Sequence, residues 1–532
     1  MPTDTLYLDK LTFNCLMRLF FLLLLAAVVA LGYASLNRRA IHAINPTNTY
    51  GNISSLRGDI LINSVDDEYY LNPVENFLAG NGWRRDLLGH SGYARRTPGY
   101  SLWFLPFRAA LGPTGYYWAL AIGQLLLYLA SLAILYRGLR ASELSQWCRW
   151  LVLGVYTCTS FFNTYIFFTI TEALSVTLQT SYLGLLLLAW YKPADSVPKF
   201  RYYMLAGLVG VMTLLTRPAA GAGGVSLLIL LWLDYGSAGN WGKLMRRAAV
   251  VAALPMALLA SWTIRNYLVT GEVVVLERYA HPEGHDMYKP SMTALWGLYS
   301  TTGIEQARLN EKFFPLFSEG AVQGKLIPAR GVDLVKLMPA NYRTVIGEKR
   351  LLAAVRQYQV MLVHDYYPYQ AAYRPMPSHY LPAETQLVDT FNLMLSQLYR
   401  ARPRLLLTGP LSIVQLCVLH SNTSHLMMFQ PRYRDKHPLV NLLRYGMLAI
   451  HLSLYAGFFA GLLLAALRIL PVPRAWLWAL SLPPLVLLAY LCFVMKTTEQ
   501  RYMLVVLPFV LLANAYFLQA AWERILGLQR AR

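Results

Sequence analysis

Apolar runs separated by short polar turns fill the first half of the chain and return at its C-terminal end. They lie near 12–35, 115–136, 150–168, 171–191, 202–216, 219–234, 248–264, 445–467, 475–495 and 502–523. A helix needs about 20 apolar residues to cross hydrocarbon, because every backbone polar group must be paired within the segment. The pattern therefore predicts ten spans. The first run has a competing reading as a signal peptide, since Lys10 and Arg18 flank its apolar core and Gly32-Tyr33-Ala34 resembles a small-residue cleavage site. Between the seventh and eighth runs, 265–440 is too long and too polar for a loop. Its scattered helical spacing, as in Leu334-Leu337-Met338 and Leu351-Leu352-Val355, predicts a small, mostly helical, water-facing domain. Within it, the apolar stretch 405–418 fits either a place in the interface or a re-entry into the membrane. The expected fold is an all-α polytopic membrane protein of about ten transmembrane helices. Its divisions are 1–275, with a first outer loop at 36–114, then an outer domain at 276–440, then C-terminal helices at 441–532.

Composition agrees: 56% of residues are hydrophobic, 14% are charged, and the mean hydropathy is +0.38, which excludes a soluble protein of 60.2 kDa. Charge adds an orientation. The short basic loops are Arg137/Arg140/Arg149, Lys192/Lys199/Arg201, Lys243/Arg246/Arg247, Arg468/Arg474 and the tail Arg524/Arg530/Arg532. With ten spans and a cytoplasmic N-terminus, all five fall on the cytoplasmic side, as the bias of Lys and Arg requires. The loop 36–114, the turn at Glu172, the region 265–440 and the turn 496–501 then share the outer side. The outer region is itself basic, with Lys325, Arg330, Lys336, Arg343, Lys349, Arg350, Arg400, Arg402 and Arg404 among its cations. That fits a solvated surface or attraction to an anionic lipid or polymer. Five widely spaced cysteines indicate no disulfide framework or thiolate metal site, and the sequons at Asn52 and Asn422 are too common to locate the protein.

The candidate chemistry centres on 58–107, where Asp66, Asp67 and Glu68 are consecutive in a chain with only 27 Asp and Glu. Asn72-Pro73-Val74-Glu75 has the form of a capping box, which predicts a short helix from Pro73 to near Gly80, a structural role for Glu75, and the acidic run in the loop before it. Glu172, Arg217, Arg265, Lys496, Glu499 and Arg501 each stand beside the outer end of a span. Singly, each reads as a snorkelling or helix-end charge; together they describe an acid and cation site. Arginine matches phosphate oxygens and stabilises a departing phosphate, and a carboxylate can take the proton of an attacking hydroxyl. No Gly-Lys-Ser/Thr phosphate loop or dinucleotide fingerprint occurs, which favours a lipid-linked donor. His281-Pro282-Glu283-Gly284-His285-Asp286 gathers metal-ligand types without a metalloprotease helix spacing. The acidic run is a further place for Mg²⁺ or Mn²⁺. The expectation is no metal and no cofactor. A transporter or flippase would place its charges near mid-span on inverted repeats, whereas these spans are nearly clean and no such repeat is seen. A polysaccharide ligase or polymerase using a lipid-linked glycan is the other alternative.

The motif Asp67-Glu68-x-Tyr70, then Phe77-Leu78-Ala79-Gly80-Asn81-Gly82-Trp83, then Arg96-Thr97-Pro98-Gly99-Tyr100-Ser101-Leu102-Trp103, resembles the first outer loop of the GT-C membrane glycosyltransferases. The similar branch holds the protein O-mannosyltransferases and the lipid A aminoarabinose transferase. Arg265-Asn266-Tyr267-Leu268-Val269-Thr270-Gly271 and Arg501-Tyr502 with Pro508 resemble later motifs of that branch. The likeness runs over about 12–275 and 440–523, leaving the outer domain uncovered. It implies an inverting transfer of a sugar from a polyprenyl-phosphate donor to a lipid, glycan or protein acceptor, with no nucleic-acid partner, on the periplasmic side of a bacterial inner membrane or a lumenal equivalent. By match to the motif, Asp67 is the first choice for the catalytic acid, with Asp66 as the alternative and Glu172 as a second acidic position. Arg96, Arg265, Arg501 and Lys496 are assigned to the donor phosphate, and Glu68, Tyr70, Tyr100, Arg217 and Tyr502 to substrate. Pro73 departs from the family pattern, in which a helix runs through this segment.

Overall fold

The computed structural model describes residues 3–48, 54–64, 66–87, 90–92, 96–193, 196–236, 240–271, 273–277, 290–372, 381–419, 426–495 and 500–527. The chain begins with α1 (Thr3–Ile44), followed by an antiparallel hairpin of β1 (Ser55–Arg57) and β2 (Leu61–Asn63). Next come α2 (Glu68–Leu78), a second hairpin of β3 (Arg85–Leu87) and β4 (His90–Gly92), and the long α3 (Gly99–Ala141). The first bundle is completed by α4 (Gln146–Cys158), α5 (Ser160–Asn163), α6 (Thr171–Trp190), α7 (Val197–Thr216), α8 (Gly224–Tyr235) and α9 (Trp241–Thr270). A group of shorter helices follows: α10 (Pro290–Thr301), α11 (Gln306–Phe317), α12 (Pro328–Leu337), α13 (Ala340–Ile346), α14 (Glu348–Met361), α15 (Tyr367–Ala371) and α16 (Pro382–Ala401). Then α17 (Leu405–Leu419) and α18 (Pro431–Arg434) lead to α19 (Pro438–Ala466), α20 (Arg474–Ala489) and α21 (Leu507–Ile525).

Among the described residues, eight helices are long and apolar enough to cross a membrane: Cys15–Ile44, Gly99–Ala141, Thr171–Trp190, Pro218–Tyr235, Trp241–Thr270, Pro438–Ala466, Arg474–Met495 and Arg501–Ile525. The chain is an all-α, multi-pass integral membrane protein. Of the other two expected spans, 202–216 lies in the 20-residue α7, about 30 Å long at 1.5 Å per residue, whose first turn carries Lys199 and Arg201. The run 150–168 is not one helix. It breaks at Thr159, which is extended, because a cluster of polar side chains bonds to the backbone there. Thr159 Oγ1 donates to the Val155 carbonyl at 2.8 Å and Asn163 Nδ2 to the Thr157 carbonyl at 2.7 Å.

Inside the bundle, α6 and the span Arg501–Ile525 are the most enclosed, with 83% and 94% of their apolar windows buried. Close approach to α3 is set by Gly138, where a Cβ would stand 2.7 Å from the Gly184 carbonyl oxygen. In α3 itself Gly112, at φ +75° and followed by Pro113, marks a kink between the segment that starts at Gly99 and the segment that ends at Ala141. One end of the bundle is basic and aromatic. There Trp476 stacks on Tyr191 and Tyr516, Lys199 pairs with Asp234 at 2.8 Å, and Arg524 donates to the Ile469 carbonyl at 2.7 Å. This is the belt expected of a membrane boundary. The first turns of α6 and of the span Arg501–Ile525 lie at the other end, where the polar loops converge. The shorter helices α10–α16 enclose a separate hydrophobic core that includes Leu298, Phe313, Val355, Tyr358, Phe391 and Leu398. The 15 residues of α17 extend about 22 Å, too short to cross.

Candidate active site

Two local decisions shape the acidic loop. The first hairpin turns at Gly58 and Asp59, both at positive φ (+56° and +55°), and a Cβ on Gly58 would meet the Tyr117 ring at 2.6 Å. Its second strand is stitched to the turn ahead of α6: Ile62 bridges Phe168, and Thr169 N donates to the Ile62 carbonyl at 3.1 Å. The acidic run is thereby brought beside Glu172. The second decision corrects the expected helix start. Helix α2 begins at Glu68 and runs through Pro73, with Tyr70 N and Leu71 N donating to the Asp67 carbonyl at 2.9 and 3.0 Å. Pro73 removes one backbone donor, but the face Tyr70, Leu71, Pro73 and Val74 is buried, and Ser101 Oγ donates to the Tyr70 carbonyl at 2.6 Å. Packing on α3 therefore outweighs the local capping signal. Asn72 accepts from Asn76, and Glu75 takes two 2.7 Å hydrogen bonds from Arg108, so its role is structural but not that of a cap.

Gly99 places the next turn. A Cβ there would stand 2.6 Å from the backbone of Leu215 and Thr216, and Thr97 Oγ1 donates to the Thr216 carbonyl at 3.4 Å. The segment 97–99 thus rests directly on the end of α7, where Arg217 follows in extended conformation.

Three carboxylates and three guanidiniums meet at this junction. Asp67 is fully buried, and its Oδ2 accepts from Arg57 Nη2 at 3.4 Å and from Thr169 Oγ1 at 3.1 Å. Burial alone would lower the Arg57 guanidinium, but Asp67 and the Tyr116 hydroxyl beside it raise it above its ordinary value. Glu172 is also buried; its Oε1 lies 2.5 Å from Arg217 Nη1 and 3.8 Å from Arg501 Nη1, while Thr171 Oγ1 donates to its Oε2 at 3.2 Å. Asp66 differs: its side chain is 33% exposed, and both Nη atoms of Arg501 lie 3.4 Å from its Oδ2. Arg501 therefore bridges Asp66 and Glu172. The Arg217 guanidinium lies 5.0 Å over the Tyr502 ring.

A second, cationic group adjoins the first. Arg85 is buried with its guanidinium 3.5 Å from the Tyr69 ring centre, and Arg96 lies 5.2 Å from the same ring and 3.8 Å from Glu277. Arg265 donates to Asn266 Oδ1 at 2.8 Å and to the Trp83 carbonyl, and covers the Trp262 ring. Between the groups stands Tyr70. Burial pushes its hydroxyl above the ordinary range, and the charges acting on it are Arg96, Asp66, Glu172 and Glu277. Tyr100 packs edge-to-face on Tyr70 and is fully buried, its hydroxyl donating to Gln124 Oε1 at 2.9 Å, so it supports the site from behind.

Of the residues expected from sequence, Asp66, Asp67, Glu172, Arg217, Arg501 and Tyr502 come together, Tyr70 adjoins them, and Arg96 and Arg265 join the cationic group. Glu68 opens α2 and has no polar partner among the described residues. Lys496, Glu499, His281 to Asp286 and the sequon residues Asn52 and Asn422 lie outside the described residues. Arg57, Tyr69, Arg85, Thr169 and Glu277 were not anticipated. The Arg57-Gly58-Asp59 run carried a turn signal that would have exposed the hairpin; nothing in sequence singles out the other four. Each of these carboxylates faces a guanidinium, and no three His, Cys, Asp or Glu side chains gather as a metal site among the described residues.

No family model and no curated protein matches the chain. Its fold is similar to that of the Archaeoglobus fulgidus oligosaccharyltransferase in a crystal complex with Zn and sulfate, at 14% identity over 95% of this chain and 50% of that one, with a TM-score of 0.44. The oligosaccharyltransferase AglB of the same organism, in complex with an inhibitory peptide and a dolichol-phosphate, gives 15% identity over 97% and 52% of the two chains and a TM-score of 0.38. ArnT from Cupriavidus metallidurans in the apo state gives 12% identity over 92% and 78%, with a TM-score of 0.31. The chain spans about half the length of the oligosaccharyltransferase structures it matches.

Proposed function

We propose that the chain is a GT-C-type glycosyltransferase that moves a sugar, with inversion, from a polyprenyl-phosphate donor to a lipid, glycan or protein acceptor. The side is the outer face of the membrane, which in a bacterial inner membrane is the periplasmic face. The observation that carries this reading is the contrast among the carboxylates: Asp67 and Glu172 are buried on arginines, while Asp66 is one-third exposed beside Arg501. Asp66 is accordingly the general base, in place of the Asp67 that the motif alone favoured. Asp67 anchors the loop through Arg57 and Thr169, and Glu172 orients Arg217 and Arg501.

The donor phosphate falls to Arg85, Arg96 and Arg265 in this reading. Arg85 and Arg96 lie against the Tyr69 ring and Arg265 bonds the Trp83 carbonyl, and the planar fork of a guanidinium matches phosphate oxygens. In the reaction, an acceptor hydroxyl oxygen attacks the anomeric carbon and gives its proton to Asp66. The bond from that carbon to the phosphate oxygen breaks, and polyprenyl phosphate departs with its added negative charge held by the arginines.

The test is to delete the gene and compare surface lipids, polysaccharides and glycoproteins by mass spectrometry. Loss of one sugar mass from one class, restored by the wild-type gene but not by Asp66→Asn, is the expected result. No change in any class, or full restoration by Asp66→Asn, overturns the reading.

A further inference from the structure

We infer that the turn joining α16 to α17 binds anionic phospholipid headgroups, with α17 laid in the outer interface of the bilayer. The inference stands apart from the transferase reading. At this turn Arg400, Arg402 and Arg404 are exposed on consecutive alternate positions, and Lys349 and Arg350 from the start of α14 are exposed beside them. Contacts hold these elements together: Arg402 donates to the Asn341 carbonyl at 3.3 Å and lies over Tyr342, and Arg350 Nη1 donates to Gln397 Oε1 at 3.1 Å. The neighbouring Glu348 is paired with Arg343 at 2.7 Å, so it does not offset them.

The apolar side argues for lipid in particular. Immediately after the basic turn, Leu406, Leu407 and Leu411 are 54%, 72% and 63% exposed, a surface that a soluble polyanion would leave wet. The opposite face of α17 is seated on the spans: Cys492 Sγ donates to the Pro410 carbonyl at 3.4 Å, and His451 Nε2 lies 2.8 Å from the Val418 carbonyl. Cys492 stands three residues from the end of the span Arg474–Met495, so Pro410 and the basic turn before it are at the level of that span's end. Cations beside exposed leucines on a helix too short to cross are the signature of an interfacial helix, and the cations then meet lipid phosphates.

The experiment uses the full chain in lipid nanodiscs containing a photo-crosslinkable probe, either phosphatidylglycerol or phosphatidylcholine, with adducts mapped by peptide mass spectrometry. Adducts on the peptides spanning 393–419 are expected to be at least tenfold more abundant with the anionic probe. In Arg400→Gln, Arg402→Gln and Arg404→Gln the preference should fall by up to about fivefold per arginine, from roughly 1 kcal/mol per cation near a charged surface. Equal labelling by the two probes would reduce the site to an apolar contact and overturn the inference. So would no labelling of these peptides by either probe, or suppression of labelling by soluble polyphosphate with no lipid preference. The two-probe comparison on the unmodified protein decides the matter even if a variant fails to fold.

Discussion

Replacing each aspartate of the acidic pair by asparagine should give two different failures. Asp66→Asn keeps the side-chain volume at a one-third-exposed position, so the fold should be unaffected. It removes the proton acceptor, and general-base catalysis contributes about 10²–10⁴-fold, or roughly 2.7–5.5 kcal/mol of barrier. Asp67→Asn acts on a fully buried carboxylate. Its Oδ1 could still accept from Thr169, but Arg57 would lose its counter-charge 3.4 Å away, and losing a charge-assisted hydrogen bond costs about 1.5–3 kcal/mol.

Both quantities can be measured on the purified protein. Cys148, Cys417 and Cys492 are buried, so a thiol-reactive fluorophore added during heating reports unfolding as they become accessible. On the scale of about 2–4 °C per kcal/mol for mid-sized domains, Asp67→Asn should melt about 3–12 °C early, with turnover below the transition lowered less than about tenfold. Asp66→Asn should melt with the wild type and lose at least about 10² in turnover. If instead Asp67→Asn keeps the wild-type midpoint and loses turnover while Asp66→Asn stays active, the assignment from burial is wrong and the motif alignment was the better guide.

Glu172→Gln should destabilise by about 3–5 kcal/mol because it leaves Arg217 enclosed without its charge partner, and adding Arg217→Met should recover part of that loss; strictly additive melting shifts would contradict the buried pair. Glu277→Gln frees Arg96 from the carboxylate 3.8 Å away, so the KM for donor should fall while that for acceptor stays put; a weaker donor interaction would remove Arg96 from the phosphate site. Gly99→Ala forces a Cβ to within 2.6 Å of the α7 backbone and should lower both melting point and turnover, whereas wild-type behaviour would mean that the 97–99 segment does not rest on α7.

The apolar spans were legible because hydrocarbon imposes a length on any segment that crosses it. The break at Thr159 was not, since Thr159 and Asn163 are small polar residues whose side chains donate to backbone carbonyls and hardly alter the average hydropathy of the run. The start of α2 was misread for a related reason. Asn72-Pro73-Val74-Glu75 is a valid local signal, but burial of Tyr70, Leu71 and Val74 against α3 is worth more than one cap. The acidic run itself stood out by scarcity of carboxylates. Its partners did not: Thr169 reaches Asp67 across 102 positions and Arg501 reaches Asp66 across 435, and no spacing rule links residues that meet only when the bundle closes.

Those long-range pairings bear on how a phosphate donor approaches. An unpaired carboxylate about 8 Å from an incoming phosphate would repel it by about 2 kcal/mol at an effective dielectric near 20, about 30-fold in affinity. Three such groups beside the donor path would defeat binding. With Arg57, Arg217 and Arg501 in place, Asp66, Asp67 and Glu172 each face a guanidinium, so their charges are largely masked from a donor that approaches beside them. Arg501 therefore has two effects from one position. It fixes the Asp66 side chain through contacts from both Nη atoms at 3.4 Å, and it masks that carboxylate's charge from the phosphate of the proposed donor.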